Sequence, residues 1–429
     1  MSHIRLVLTL VLSSIAFVSL TAVGALGQTE APQDRPGKFL REPPPPDKCR
    51  EQTGQPINML VMGDSILWGQ GLKEENKISF RVQKWLCEQS HRPVKVWREA
   101  HSGAIIGDPP KEAISYANNV TINQTSLDVI SKHHPSPGAT PPDVELGGEV
   151  NVDNPTLWAQ LRHAVHSFEG KPVDFVLMDG CINDFAVVEH LLDQTMTTDE
   201  VRDRSKAMCY DRMRPFLQKA LANFPQARFI VTGYYPVMTK KSSRNVLLRY
   251  LIGRFLAREN QPWFSPNARE RMFQNLTRIS REFGEFTNNY LRQSIDEANA
   301  GGARITFVPV YEPPDSPFGK DRSGFAAPRD SSLLWTTRFN STGLGGLNKF
   351  LYVLFKLNLR ALDPNDQVHD DRKRQCKEAN FDRKGRLKCG VAAFGHPNMK
   401  GVEEYVRRIT FALQRWTETG AWLRAEKSQ

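Results

Sequence analysis

The stretch Ile57-Asn58-Met59-Leu60-Val61-Met62-Gly63-Asp64-Ser65 decides how this chain is read. Its first six residues form the short, largely apolar run that a buried β-strand requires, and Gly-Asp-Ser follows at once. A serine just beyond a parallel strand occupies the edge where open α/β sheets build their sites. The tripeptide alone is equally well explained as a turn, because Gly63 and Asp64 are both turn-forming residues. The rest of the chain has to separate the two readings.

Four further β-type runs, Val94 to Arg98, Val173 to Met178, Arg228 to Gly233 and Arg304 to Pro309, alternate with helix-length segments. That alternation predicts a parallel sheet covered on both faces. Thr156 to Phe168 places Leu157, Leu161, Ala164 and Val165 on one helical face, and Asp199 to Ala222 does the same with Val201, Met208, Met213, Phe216 and Leu217. Both read as crossover helices. Segments 104–155, 236–275 and 311–390 are longer than crossovers need and read as insertions on the site edge. Two apolar stretches within them, Val246 to Ala257 and Leu347 to Leu359, suit helices packed on the core or a lid that meets an acyl chain or a membrane surface.

The 429 residues, 40% hydrophobic, suffice for one large α/β domain, which we place at 49–425. No internal repeat and no second domain of convincing size is visible. His3 and Arg5 precede an apolar or small-residue stretch from Leu6 to Val23, and Ala25-Leu26-Gly27 has small residues where a signal peptidase needs them. Residues 1–27 therefore read as a signal peptide cleaved after Gly27, with an uncleaved anchor as the alternative. Residues 28–48, with prolines from Pro43 to Pro46, read as an extended spacer. The expected location is secreted or in the cell envelope.

All six cysteines follow this leader, and an even count in an oxidising compartment favours disulfides. Cys376 with Cys389 closes a short basic loop and Cys181 with Cys209 is the second expected pair, while Cys49 is too isolated to assign. No spacing resembles a zinc site, so neither metal nor organic cofactor is expected. The charge of +10 is spread along the chain without interleaved aromatics, which argues against nucleic acid as a partner.

Three later segments complement Ser65. Gly103 lies in Glu99-Ala100-His101-Ser102-Gly103-Ala104 after the second strand, and Gly180-Cys181-Ile182-Asn183-Asp184 follows the third. His396-Pro397-Asn398 opens a C-terminal helix whose Val402, Tyr405, Val406, Ile409 and Leu413 face the sheet. A serine hydroxyl needs a base, and His396 alone among ten histidines sits in a turn-to-helix context that would steady an imidazole. Acyl chemistry also needs donors for a developing oxyanion, and the Ser65 and Gly103 N–H groups with the Asn183 amide would supply three. Asp64 reads as a turn-stabilising carboxylate, Asp184 as a brace for the Asn183 loop, and His101 as a solvated loop residue, with a substrate contact as the alternative.

The four blocks GDSILWGQG, SGA, GCIND and HPN, in this order from residue 63 to 398, resemble those of the SGNH (GDSL-type) serine hydrolase superfamily. The resemblance implies a flavodoxin-like three-layer α/β/α sandwich with a five-stranded parallel sheet. It implies Ser65 as nucleophile, Ser65, Gly103 and Asn183 as oxyanion donors, and His396 as base in the hydrolysis of acetylated sugars or acyl lipids. The G-x-S-x-G elbow of the larger α/β-hydrolase family is absent. Members of the resembled family usually carry an aspartate three residues before the histidine, where this chain has Ala393. A main-chain carbonyl near Ala393, or one of Asp363, Asp366, Asp370 and Asp371, is then left to orient the imidazole. The alternatives to a hydrolase are an acyltransferase and a catalytically degenerate binding or scaffold protein.

Overall fold

The computed structural model describes residues 45–107, 149, 156–168, 171–185, 195–240, 266–311, 333–335, 366–378, 386 and 389–418. Residues 1–44, the apolar stretches 246–257 and 347–359, and Asp363 lie outside them.

Five strands, β1 (Ile57–Met62), β2 (Val94–Arg98), β3 (Phe175–Met178), β4 (Arg228–Thr232) and β5 (Ile305–Val308), form one sheet in the order β2-β1-β3-β4-β5. Every pairing is parallel, with Ile57 opposite Val94, Met59 opposite Phe175, Phe175 opposite Arg228 and Phe229 opposite Ile305. The five runs expected from sequence are these strands, trimmed by a residue or two at some ends. β1 and β3 are buried at every position, as interior strands of a sheet covered on both sides must be.

Among the described residues the helices that frame the sheet and the site are α1 (Ser65–Trp68), α2 (Ile78–Ser90), α3 (Leu157–Ser167), α4 (Thr198–Lys206), α5 (Met213–Asn223), α6 (Pro266–Ala298), α7 (His369–Glu378) and α8 (Met399–Glu418). α2 packs on α8, while α3 packs on α5 and α6 runs along α4, α5 and β5. A three-layer α/β/α sandwich results. α8 buries Val402, Tyr405, Ile409 and Leu413, with Val406 only half-buried at the margin of the stripe. The single helix expected over 199–222 is two helices joined by a π-helical turn, Ala207–Arg212. α6, which sequence reading left unassigned, buries Met272, Phe273, Leu276, Ile279 and Phe283 at helical spacing.

The six cysteines form three pairs: Cys181–Cys209 and Cys376–Cys389 as expected, and Cys49–Cys87. The last assigns the isolated Cys49, tying the helical turn Asp47–Arg50 to α2. Sequence distance concealed it, since 38 residues separate the partners.

In this strand order the chain leaves β1 toward one edge of the sheet and resumes at β3 toward the other. The crevice at the carboxyl ends of β1 and β3 is the topological switch point where open α/β sheets bind ligands. Ser65 follows β1 and Asn183 follows β3, so both lie at that crevice.

Candidate active site

Gly63 and Asp64 turn the chain from β1 into α1. Gly63 has φ +141°, and a β-carbon there would collide with the Asp179 carboxylate, so the close approach requires glycine. The Gln160 amide clamps this residue, accepting from its N–H at 2.8 Å and donating to its carbonyl at 2.9 Å. Asp64 caps α1, its Oδ1 accepting from the Ile66 N–H at 2.9 Å, which is the turn-stabilising role read from sequence. Ser65 is the first residue of α1, where a backbone N–H has no partner within the helix.

Asp64 also belongs to a buried acidic group. Its Oδ2 accepts from the Tyr234 hydroxyl at 2.7 Å, and Asp179 Oδ1 accepts from the Asp64 N–H at 2.7 Å. Burial raises the Asp64 carboxyl to about 6 against the pull of the Ile66 N–H and Tyr234. Asp179 is pushed well above the usual carboxylate range, first by burial and then by Asp64. Asp179 and Tyr234 escaped sequence reading, although for Asp179 a polar residue directly after the fully buried strand β3 was a signal available.

The second and third blocks meet the first through the backbone. The His101 N–H donates to the Gly63 carbonyl at 3.1 Å, and the Asn183 amide donates to the Ala104 carbonyl at 2.8 Å. Gly103 lies between these two tethers with φ +80°. Asp184 accepts from Ile106 N–H at 2.8 Å and from Arg212 at 3.1 Å, and so ties the Asn183 loop to the segment after β2. His101 departs from expectation: it is 8% exposed, with Nδ1 against the Ser102 carbonyl at 3.0 Å. The turn beneath Gly63 folds it inward instead of leaving it in solvent.

His396 arrives from the far end of the chain. Its Nε2 lies 2.7 Å from Ser65 Oγ, across 331 residues of sequence. Residues 333–335 hold the turn: Trp335 N–H donates to the His396 carbonyl at 2.8 Å and Asn398 N–H to the Leu333 carbonyl at 2.9 Å. Asn398 Oδ1 then caps α8 through Lys400 N–H at 2.9 Å. Nδ1 is buried and, among the described residues, completes no hydrogen bond. The Ala393 carbonyl accepts from the His396 backbone N–H at 3.1 Å and also lies close to the imidazole. Burial, then the Arg372 charge, lowers the imidazole to about 4, opposed by the nearby carbonyls of Ala393, Phe394 and Ala392. The imidazole is therefore neutral at pH 7.

The acidic residues upstream of His396 have other commitments. Asp366 binds Arg372 at 2.6 Å, and the same guanidinium reaches Glu149 at 2.8 Å, with the Arg372 side chain fully buried. Asp371 is exposed and pairs with Arg374, and Asp370 is exposed. Glu149 in turn accepts from Trp68 Nε1 at 3.0 Å and from Gly71 N–H at 2.9 Å, so the ion cluster buttresses the chain just after α1. A cleft of about 350 Å³ opens beside it, lined by Trp68, Glu74, Lys77, Glu149, Arg372 and Gln375 among others, but not by Ser65 or His396. Lys77 sits 3.6 Å above the Trp68 ring and is lowered to about 8 by burial and Arg98.

A doubly wound sheet in the order β2-β1-β3-β4-β5, with a Gly-Asp-Ser turn after β1 hydrogen-bonded to a histidine ahead of the last helix, settles the type of fold. It is a flavodoxin-like, doubly wound three-layer fold, the architecture that the resemblance to SGNH hydrolases implies. No protein-family model matches the chain, and no curated protein is similar to it in sequence. Solved structures similar to it include a carbohydrate esterase family 2 enzyme with a carbohydrate-binding domain from Corynascus thermopiles (Myceliophthora fergusii), 13% identical over 62% of this chain and 57% of that one, TM-score 0.25. Two others are phospholipase A1 from Streptomyces albidoflavus (14%, 67% and 89%, TM-score 0.30) and a lipase from a goat rumen metagenome (11%, 59% and 81%, TM-score 0.30). Superpositions this loose add no weight, and the fold assignment stands on strand order and on the Ser65–His396 pair. Among the described residues no cluster of His, Cys, Asp and Glu could hold a metal ion.

Proposed function

We propose that the chain is a serine ester hydrolase working through a Ser65–His396 dyad. The observation that carries this reading is the 2.7 Å contact between Ser65 Oγ and His396 Nε2, with an imidazole kept neutral by burial. Neutral Nε2 takes the Ser65 proton as Oγ attacks the ester carbonyl. The oxyanion that forms would be met by the Ser65 and Gly103 N–H groups and by the Asn183 amide hydrogen not spent on Ala104. The imidazolium gives its proton to the leaving alcohol, and a water activated by His396 then releases the acid from Ser65.

The lowered imidazole pKa has a cost. Among the described residues no carboxylate meets Nδ1, and nearby carbonyl dipoles support the imidazolium in the transition state, so the dyad should favour esters with good leaving groups. Three disulfides suit an oxidising compartment, and among the described residues no helix is long and apolar enough to cross a membrane. The reading is therefore an exported enzyme.

Turnover of p-nitrophenyl acetate that vanishes in Ser65→Ala and in His396→Ala supports the proposal. Turnover retained in either variant contradicts the assigned nucleophile or base. The empty hydrogen-bonding position at Nδ1 favours one second reading, a binding protein that keeps the fold without turnover. A folded wild-type protein inert toward every activated ester would support it.

A further inference from the structure

Cys181 stands three residues past β3 and two before Asn183, with φ +97°. Only one other described non-glycine residue has positive φ, His91 at +52°, and it ends α2 in the ordinary left-handed cap. A side chain at +97° is strained, and such a conformation persists only where its surroundings over-determine it.

Those surroundings are specific. Cys181 is bonded to Cys209, which is fully buried in the π-helical turn Ala207–Arg212. The same turn ends at Arg212, which pairs with Asp184 at 3.1 Å. One element thus grips both sides of Asn183, by a covalent bond on the amino side and an ion pair on the carboxyl side. The Cys181 carbonyl accepts from the Phe185 N–H at 3.1 Å and closes the turn that carries the amide. Asn183 spends one amide hydrogen on the Ala104 carbonyl and keeps another for an oxyanion.

We propose that the Cys181–Cys209 disulfide is a positioning element for the oxyanion hole: it holds Cys181 in a left-handed conformation that aims the Asn183 amide. The proposal rests on the esterase reading of Ser65 and His396. Once the bond is lost, Cys181 relaxes toward negative φ, the peptide leading to Asn183 turns, and the amide leaves its line. A displacement of about 1 Å at such a donor costs on the order of 100-fold in rate.

Glycine takes φ +97° without a side-chain penalty, which makes the test a rescue. Cys209→Ala should lower kcat for p-nitrophenyl acetate about 10- to 100-fold with KM within about threefold, and Asn183→Ala added to it should cost little more. Cys181→Gly/Cys209→Ala, also without the disulfide, should return kcat to within about threefold of wild type. Hydrogen exchange at the Phe185 amide gives a readout free of activity: protection should fall in Cys209→Ala and return in the double variant. If the protein shows no Ser65-dependent turnover, the esterase reading fails and exchange alone still decides the positioning claim. Unchanged kcat and protection in Cys209→Ala, or a double variant as impaired as the single, would overturn it. Should Cys209→Ala fail to fold, the double variant decides: folded and active supports the proposal, unfolded or slow overturns it.

Discussion

Neutral burial of His396 makes a sharp prediction for the dependence of activity on pH. The imidazole titrates near 4 because the site is dry and Arg372 lies close, against an ordinary value of 6.5. Since the lowered pKa leaves the base form populated above about pH 4, kcat/KM for p-nitrophenyl acetate should rise from acid with a midpoint near 4 and be flat from about pH 6 upward. At pH 5.5 an imidazole of pKa 4 is about 97% neutral, whereas one of pKa 6.5 is only about 9% neutral. Initial rates at pH 5.5 and 8, with substrate well below KM and ionic strength fixed, separate the two cases by about tenfold. Asp64 titrates near 6 beneath Ser65, so Asp64→Asn belongs in the same experiment. A step near pH 6 that disappears in Asp64→Asn comes from the acidic pair and leaves the account of His396 intact. A midpoint at 6.5 that survives in Asp64→Asn would refute the claim that burial and Arg372 govern the base.

Three further outcomes follow from the same geometry. Ala393→Asp places a carboxylate in the turn at the Nδ1 side of His396 and should raise the kcat/KM midpoint by about one to three units, and an unmoved midpoint would mean that the new group does not reach the ring. Asp64 binds its proton more tightly in the folded state than in the unfolded chain, with a pKa of about 6 against 3.8. Its contribution to stability is thus complete below pH 3.8 and lost as pH rises through 6, about 3 kcal/mol in all. Asp64→Asn should therefore gain about that much relative to wild type between pH 4 and 8 in urea unfolding, and a difference independent of pH would contradict the assignment. Removing Cys49–Cys87, whose partners are 38 residues apart, should cost about 4 kcal/mol, and removing Cys376–Cys389, 13 apart, about 3, both read from urea midpoints. The reverse order would argue against loop entropy as the source.

The sheet and four site blocks were legible because each rests on local chemistry. A buried parallel strand is a continuous apolar run, as Ile57 to Met62 is, and the residues at the carboxyl ends of such strands are where α/β sheets keep polar groups. Cys376–Cys389 was legible because it closes a loop of only 13 residues. What stayed hidden depends on contacts distant in sequence. Glu149 and Arg372, 223 residues apart, form a buried ion pair that nothing local announces, and Asp366, one of four aspartates available to support His396, is taken by the same guanidinium. His101 was misread for a similar reason: its burial follows from the hydrogen bond to Gly63, which belongs to the fold and not to its own segment. The positive φ of Cys181 is likewise invisible in a string of letters, since cysteine gives no hint of it.

A fluorophosphonate probe reports on whether Ser65 is a nucleophile activated by His396. Mass spectrometry of the labelled, folded protein should find the phosphonyl group on Ser65, with labelling abolished in Ser65→Ala and strongly slowed in His396→Ala. A folded wild-type protein that stays unlabelled, or one labelled at any residue other than Ser65, would contradict that assignment.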